Sequence, residues 1–461
     1  MRIAMIGAGY VGLATGACFA ELGHDVRCHD IDQDRIGLLA RGETPIYEPG
    51  LHAVMENARA HGRLRFLEHV EDCVGSADVI FIAVGTPSAP DGRIDLSQIE
   101  AAARLVAGHL KPGAVVTVKS TVVAGTCRRI REIIAEEHKS LDFSVAANPE
   151  FLREGSALDD FMHPDRIVIG CDDRRASALL AELYRPLTER GTPLVSTTTV
   201  NAELIKYAAN AFLALKIGFI NEVADLCEQV GGNVTSVANG IGLDRRIGPA
   251  FLKPGPGFGG SCFPKDTRAF AATGRKYGAR QHLVETLIDR NEARKVWLAR
   301  RVLTEPALPK HATVCILGLA FKAKTDDIRE AAALTIISQL QRAGLRVRVH
   351  DPEAMANGKQ RIKNVEWADS PYEAARGADA VVVLTEWEDY RHLDLRRLRA
   401  EMSGRLVFDY RNLLSPTDVV SQGFKYISLG RSSPKSPSRK ASMGIPALSG
   451  IDQRVAAPHS D

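Results

Sequence analysis

A cysteine placed to act as a nucleophile stands in segment 255–266, which reads GPGFGGSCFPKD. Glycines let the backbone adopt positive φ or lie against a ligand, and Pro264 is typical of the first turn of a helix. Cys262 would then precede a helix N-terminus, where the helix dipole and the ammonium of Lys265 both favour the thiolate. The segment predicts an activated nucleophile on a loop that contacts a ligand. The alternative is a flexible glycine loop with a small buried cysteine.

Polar side chains also follow buried strands predicted over 77–84, 114–118 and 143–147. In open parallel sheets ligands lie beyond the carboxyl ends of the strands, which places Thr86, Thr121 and Glu150 at the edge of a site.

A carboxylate pair follows the last of these strands. Asn148 and Pro149 suit the N-cap and first position of a helix, so Glu150 and Glu154 would share one helical face. A solvated helix start is the alternative.

A long helix is predicted over 199–230, enough to bridge two domains. It carries Lys206 and Asn210 one turn apart. Spacing alone favours a polar stripe on a surface helix. On a buried helix the two side chains would need partners, and they would offer a cation and an amide to a ligand.

The N-terminal residues predict a dinucleotide site. A strand over 2–6 is followed by GAGYVG at 7–12, a helix, and a second strand ending at Asp30. The glycines permit a tight turn and close approach to a pyrophosphate, whose charge the helix N-terminus accepts. Asp30 would accept hydrogen bonds from a ribose and repel a 2′-phosphate, which favours NAD over NADP. A tight turn without a nucleotide is the alternative.

The pattern recurs after a linker at 305–309. Strands are predicted at 313–318, 345–350, 378–384 and 406–409, with only Gly318 in place of the three glycines. The fold class is therefore α/β, with two Rossmann-like doubly wound parallel sheets joined by a long central helix. We expect an NAD-binding domain at 1–198, a helical domain at 199–305, a second α/β domain at 306–430 and a disordered tail at 431–461.

Composition narrows the class of protein. The 461 residues are 45% hydrophobic and 25% charged with a net charge of +3, which argues against a nucleic-acid partner. The eight cysteines include no pair or cluster with zinc spacing, which predicts reduced thiols in the cytoplasm and no metal. No apolar run is long enough to span a membrane, and the N-terminal apolar run is too short for a signal peptide.

Eight motifs in order resemble the UDP-glucose 6-dehydrogenase branch of the nucleotide-sugar dehydrogenase family. They are GAGYVG (7–12), EPGL (48–51), GTP (85–87), KSTV (119–122), NPEFLREG (148–155), ELIKYAAN (203–210), FGGSCFPKD (258–266) and DIRE (327–330). The resemblance covers residues 1 to about 430. It implies that 199–305 is a dimerisation and active-site domain and that 306–430 is a UDP-sugar-binding domain. It implies oxidation of a sugar C6 alcohol to a carboxylate with reduction of two NAD⁺, through a thiohemiacetal and a thioester on the cysteine.

The resemblance also implies roles for single residues. Cys262 would be the nucleophile, Lys206 and Asn210 would stabilise the oxyanion, and Glu150 would act on the hydrolytic water. The remaining catalytic residues would be Asp266 and Thr121. The cofactor-binding residues would be Gly7, Gly9, Tyr10, Val11, Gly12, Asp30, Arg35, Thr86, Thr121, Glu154, Lys265 and Arg329. The substrate-binding residues would be Glu150, Phe151, Leu152, Arg153, Glu154, Lys206, Asn210, Arg246, Phe251, Leu252, Lys253, Pro254, Gly255, Gly259 and Lys322.

Arg246 is implied to reach a partner subunit's site, which requires a homodimer or higher homo-oligomer with the long helix at its interface. Four positions depart from the family pattern. Arg35 replaces a common lysine, Ala331 and Ala332 replace a frequent Ser-Pro, and Tyr410 replaces a usual glycine.

Three alternatives stay open. The same mechanism on GDP-mannose is the nearest, although the Phe-Pro after Cys262 favours UDP-glucose. A two-electron hydroxyacid dehydrogenase with a spectator cysteine is the second. A non-enzymatic nucleotide-sensing module is the third, and it leaves Cys262, Lys206 and Glu150 without a purpose.

Overall fold

The computed structural model describes residues 1–89 and 91–431. The predicted tail, apart from Arg431, therefore lies outside the described residues. The described chain forms an eight-stranded sheet of order β3-β2-β1-β4-β5-β6-β7-β8 and a six-stranded sheet of order β11-β10-β9-β12-β13-β14, with long helices between them. This confirms the predicted fold class of two α/β units joined by a central helix.

The first sheet is built from residues 2–197. Its strands are β1 Arg2–Ile6, β2 Asp25–His29, β3 Leu64–Phe66, β4 Val79–Ile82, β5 Ala114–Val118, β6 Phe143–Ala147, β7 Ile167–Cys171 and β8 Leu194–Thr197. Its helices are α1 Tyr10–Glu21, α2 Gln33–Arg41, α3 Leu51–Ala60, α4 Val70–Val74, α5 Ser97–Ala107, α6 Thr126–Glu137, α7 Ala157–Met162, α8 Arg174–Leu183 and α9 Arg185–Thr188.

The central strands of this sheet are buried on both faces, as their continuous apolar sequences predict. Every residue of β4 and β5 is buried, and separate apolar clusters cover the two faces. The sheet is not wholly parallel, however, because β7 runs antiparallel to β6. The connection between them contains the six-residue helix α7. The prediction of a purely parallel sheet was wrong for β7 and β8.

Four helices separate the sheets, namely α10 Thr199–Val230, α11 Val234–Gly242, α12 Phe263–Lys276 and α13 His282–Leu303. The predicted bounds of the long helix are confirmed at both ends. Thr198 caps its start by accepting a hydrogen bond from Asn201 N at 3.3 Å, and Gly231 ends it with φ of 76°. Its buried Glu203 accepts hydrogen bonds from Gly125 N and Cys127 N and so caps α6 of the first sheet.

The second sheet and its helices occupy residues 313–428. The elements are β9 Thr313–Leu317, α14 Ala332–Arg342, β10 Arg346–His350, α15 Met355–Arg361, β11 Glu366–Trp367, α16 Pro371–Ala375, β12 Ala380–Val383, α17 Glu388–Arg391, α18 Leu395–Glu401, β13 Leu406–Asp409, α19 Pro416–Ser421 and β14 Lys425–Ser428.

An aspartate follows the second strand of this sheet, as Asp30 does in the first. Asp351 is buried, and its Oδ2 accepts hydrogen bonds from Leu319 N at 2.7 Å and Ala320 N at 3.0 Å. Trp387 Nε1 donates to the same oxygen, and two further backbone N–H groups donate to Oδ1. Both oxygens are thus engaged by the protein.

We expect Asp351→Ala to lower the free energy of unfolding by about 3–5 kcal/mol, because it leaves several buried N–H groups without an acceptor. Asp389→Ala is the control, since Asp389 is exposed in the same domain, and it should change the stability by less than about 0.5 kcal/mol. Urea unfolding followed by circular dichroism measures both. Equal stability of the two variants would contradict the structural role of Asp351.

Candidate active site

The Cys262 loop lies between the two sheets. Cys262 is the N-cap residue of α12, and Pro264 is the second residue of that helix. Gly260 has φ of +84°, and a Cβ there would lie 2.7 Å from the Phe321 ring. A Cβ on Gly259 would lie 2.6 Å from the Glu330 oxygen. The loop therefore packs directly against segment 321–330 of the second α/β unit, and side chains at these two positions would push the units apart.

A buried ion pair lies beside the cysteine. Lys206 Nζ is 2.8 Å from Glu150 Oε1, and the side chains are 3% and 6% exposed. Burial raises the pKa of Glu150, but the attraction of Lys206 and hydrogen bonds from Lys206 and Leu152 N outweigh it, so its pKa is lowered. Burial in turn lowers the pKa of Lys206, and the charges of Glu150, Cys262 and Asp266 more than reverse this. The pair is therefore ionic at neutral pH.

A second polar chain runs along α10 and α12. Asn210 Nδ2 donates to Asp266 Oδ2 at 2.6 Å, and Lys265 Nζ donates to Asp266 Oδ1 at 2.8 Å. Lys265 Nζ also donates to Thr86 Oγ1 at 3.4 Å. The polar-stripe interpretation of α10 was wrong, because Lys206 and Asn210 are buried and each has a partner.

The thiol of Cys262 is not activated in this state, and that prediction needs correction. Burial raises its pKa to about 11, and the carboxylates of Glu150 and Asp266 raise it further than Lys206 lowers it. Lys265 is bound to Asp266, so its charge is largely compensated. Helix position and a neighbouring lysine in the sequence favour a thiolate, but two buried carboxylates oppose it, Asp266 from the first turn of α12 and Glu150 from the distant loop after β6.

Segment 148–156 is an extended loop, so the predicted helix start at Asn148 was wrong. Glu150 and Glu154 consequently point to different partners. Glu154 accepts hydrogen bonds from Ser261 Oγ at 2.8 Å and Thr325 Oγ1 at 3.2 Å, and it lies 3.6 Å from Arg329 Nη2. Glu154 thus links the first sheet, the cysteine loop and the second α/β unit. Phe151, on the same loop, stacks between the Arg166 guanidinium and Lys206 Nζ.

The glycine loop at 7–12 fits a dinucleotide. Gly7 has φ of +101°, and a Cβ there would lie 2.7 Å from the Ala83 oxygen. A Cβ on Gly12 would lie 1.9 Å from the Gly7 oxygen, whereas the space beside Gly9 is open. Asp30 Oδ2 accepts a hydrogen bond from Ala8 N at 2.7 Å and from Arg35 Nη1 at 3.1 Å. These contacts place a carboxylate at the loop, where a ribose hydroxyl would bind.

Several other residues that the resemblance implies lie around this site. Thr121, Tyr10 and Val11 are partly exposed near the strand ends, and Lys322 lies over the Phe321 ring with a pKa that burial lowers. Residues 251–255, which are also implied to bind the substrate, come directly before the loop that carries Cys262. Leu252 is buried in a small apolar cluster, and Gly255 N donates to Asn221 Oδ1.

Two implied residues form ion pairs with neighbouring aspartates. Arg153 is exposed and forms an ion pair with Asp160. Arg246 has an 89% exposed side chain that pairs only with Asp244 among the described residues. A single copy of the chain therefore does not bring Arg246 to Cys262.

Three side chains of the site received no role from the sequence, although two of them stand in the quoted motifs. Glu48 accepts hydrogen bonds from the Tyr10 hydroxyl, Gly155 N and Ala157 N, which ties the glycine loop to segment 148–156. The Asn291 side chain on α13 accepts a hydrogen bond from Phe258 N and donates one to the Phe258 backbone oxygen. Lys119 is buried behind Glu150. Glu48 and Lys119 stand in two of the motifs, and this could have marked them as site residues. Nothing in the sequence marks Asn291.

No helix in the described residues is long and apolar enough to cross a membrane. In the same residues no group of three or more potential ligands is arranged to hold a metal ion.

Three features lie close to the contact between the two α/β units: a glycine loop of the dinucleotide-binding type, a cysteine and a buried Lys–Glu pair. Together they define a nicotinamide-dependent dehydrogenase with a thiol in its active site. Comparison with protein families identifies which one. The family models for the UDP-glucose/GDP-mannose dehydrogenase NAD binding, central and UDP binding domains match residues 1–188, 200–293 and 315–416. The chain belongs to the UDP-glucose/GDP-mannose dehydrogenase family, and its cofactor is NAD.

Individual relatives agree over nearly the whole chain. The UDP-glucose 6-dehydrogenase of Rhizobium meliloti is 50% identical over 435 residues, which are 94% of this chain and 100% of that protein. The UDP-glucose 6-dehydrogenase of Pseudomonas aeruginosa is 43% identical, covering 94% and 98%. The solved structure of a UDP-glucose dehydrogenase from Pyrobaculum islandicum is 40% identical with a TM-score of 0.84, covering 89% of this chain and 94% of that one.

The charges around Cys262 predict its reactivity toward iodoacetamide in the ligand-free protein. Because Glu150 raises the pKa of the thiol and Lys206 lowers it, Glu150→Gln should speed alkylation at pH 8 roughly tenfold and Lys206→Met should slow it. Mass spectrometry of the peptide that contains Cys262 measures the rate, with Cys171 as an internal reference. Equal rates in both variants would show that neither charge reaches the sulfur.

Proposed function

We propose that this protein oxidises UDP-glucose to UDP-glucuronate, a four-electron oxidation that consumes two NAD⁺. The observation that carries the proposal is the position of Cys262, next to the buried Lys206–Glu150 pair and between the glycine-loop sheet and the second α/β unit. A nucleophile has no task in a simple alcohol oxidation, but it is required if an aldehyde must be held and oxidised again.

In the first oxidation, the sugar C6 hydroxyl loses a proton and its carbon loses a hydride. NAD⁺, when bound, supplies the hydride acceptor for both oxidations. Lys206 and Asn210 would hold the C6 oxygen, because an ammonium and an amide both donate to a developing alkoxide. The Asp266 carboxylate keeps the Asn210 amide oriented through its 2.6 Å hydrogen bond.

The aldehyde then reacts with Cys262. The sulfur forms a bond to C6, the carbonyl oxygen gains the negative charge, and Lys206 stabilises that oxyanion. With a pKa of about 11, the sulfur is a thiol in the ligand-free enzyme, so its proton must leave during addition. Loss of the second hydride converts the thiohemiacetal into a thioester.

Hydrolysis completes the reaction. Glu150 would act on the attacking water, since its lowered pKa keeps it a carboxylate able to accept a proton. Thr121 would hold an ordered water at the end of β5. The C–S bond breaks, the uronate leaves, and Cys262 recovers its thiol.

The ligand-binding residues follow from the same assignment. We assign the dinucleotide to the glycine loop, Asp30 and Arg35, with Thr86, Glu154, Lys265 and Arg329 toward the reactive end. We assign the sugar nucleotide to segment 251–255, Gly259 and Lys322, and we place the boundaries between the three domains near residues 198 and 305.

The decisive measurement is the number of NADH molecules formed for each UDP-glucose consumed. We expect two, and we expect Cys262→Ala to lower the rate of uronate formation by at least about 10³-fold, because it removes the covalent route. A substrate panel with GDP-mannose tests the nearest alternative. One NADH per sugar together with full turnover in Cys262→Ala would favour a two-electron dehydrogenase instead.

We also propose that the enzyme works as a homodimer in the cytoplasm. The helix α10 exposes Phe212, Phe219 and Leu226, which are 63%, 57% and 60% accessible and lie seven residues apart. Large apolar side chains at this spacing form one stripe, which is typical of a helix that packs against a partner. A partner would also supply the site that Arg246 reaches. The eight unpaired cysteines suit a reducing compartment.

Substitution of the stripe tests this arrangement. Phe212→Asp with Phe219→Asp should shift the mass in light scattering from dimer to monomer, since two buried carboxylates would have no partners. The control Val420→Asp changes an exposed apolar residue of α19, in the second α/β unit, and should leave the dimer intact. If Arg246 completes the partner's site, Arg246→Ala should lose activity as a pure dimer. Mixing it with dimers of Cys262→Ala should restore part of that activity in hybrids.

A further inference from the structure

A second buried lysine lies behind the Glu150–Lys206 pair. Lys119 directly follows β5, and its Nζ donates to Asn148 Oδ1 at 3.0 Å and to the Tyr184 hydroxyl at 3.2 Å. Among the described residues it forms no ion pair. A buried ammonium without a carboxylate partner is unusual, because burial penalises its charge. Its Nζ also lies 6.0 Å from the centroid of the Phe161 ring and 5.8 Å from that of the Tyr184 ring, so its stabilising contacts are neutral groups.

A small cavity connects this lysine with Glu150. It has a volume of about 40 Å³, and its wall includes Lys119, Tyr184 and Glu150. At ~10–15 Å³ for each water, it has room for about three waters. Asp160 and Arg166 also line it and are partly exposed, so the cavity extends from Glu150 toward the protein surface.

The charges around Lys119 allow it to exchange a proton at neutral pH. Burial lowers its pKa to about 7, while Glu150 raises the pKa and Lys206 lowers it. The other charged groups of the cavity are engaged elsewhere, since Asp160 pairs with Arg153 and Arg166 stacks on Phe151. Tyr184 keeps its proton, because burial raises its pKa. Lysines tuned to this range serve as proton acceptors.

Hydrolysis of the thioester, which rests on the proposed function, releases a proton. Water oxygen bonds to the acyl carbon and the C–S bond breaks. One water proton ends on the Cys262 sulfur, and the other is released because the uronate product is ionised. Glu150 cannot retain it at neutral pH, since its pKa is lowered. We propose that Lys119 takes this proton from Glu150 through the cavity water and passes it toward solvent.

Two substitutions distinguish proton transfer by Lys119 from an effect of its positive charge alone. Lys119→Met removes both, whereas Lys119→Arg keeps the charge but cannot release a proton at neutral pH. We expect both to slow thioester hydrolysis about 10–100-fold, measured as the steady rate after a rapid burst of two NADH per site. The burst rate and the KM for UDP-glucose should stay within about twofold of the unsubstituted enzyme. The exposed Lys139→Met is the control.

The pH profile supplies the second readout. In the unsubstituted enzyme the hydrolytic rate should rise through about pH 7 to a plateau, and this ionisation should be absent in Lys119→Arg. Hydrolysis at the normal rate in Lys119→Arg would overturn the proposal. If neither variant folds, a flat profile of the unsubstituted enzyme between pH 6 and 9 overturns it equally. Absence of any NADH from UDP-glucose would instead refute the proposed function.

Discussion

The buried contact between Glu150 and Lys206 is the constraint on which the site depends. The carboxylate comes from the loop after β6 and the ammonium from α10, so the contact fixes the long helix against the first sheet. Neither charge could remain buried alone, since breaking a buried pair typically costs about 3–5 kcal/mol. Because burying two charges costs free energy, the ion pair is poor evidence for stability. It does hold two opposite charges at a defined place beside the Cys262 sulfur.

The same arrangement explains why the resting sulfur is protonated. Two carboxylates, Glu150 and Asp266, lie near Cys262, and each is matched by one lysine of its own. The sulfur therefore meets little net positive charge, and burial decides its pKa. An aldehyde changes this balance, because the negative charge moves from sulfur to an oxygen that Lys206 can reach. The site is thus organised for the oxyanion rather than for the free thiolate.

Local patterns predicted the elements well and their partners poorly. The bounds of α10, β5 and β6 follow from apolar periodicity, Thr198 and Gly231, which are all local signals. Segment 148–156 has the sequence of a helix start, yet Glu150 and Glu154 are drawn to Lys206 and Ser261 on distant elements. Tertiary contacts therefore override the local preference. The family resemblance indicated which residues meet, but not the raised pKa of Cys262, which depends on summed burial and charge.

The two sheets show how one motif serves two purposes. Asp30 and Asp351 both follow the second strand and both bind the turn after the first strand. Asp351 accepts five hydrogen bonds, one of them from Trp387, so both of its oxygens are occupied by groups of the fold itself. Asp30 is held by fewer groups, with Arg35 partly exposed beside it. The first sheet therefore has the less occupied acceptor at the position where a ribose hydroxyl would bind, whereas the second sheet presents segment 321–330 to the cysteine loop.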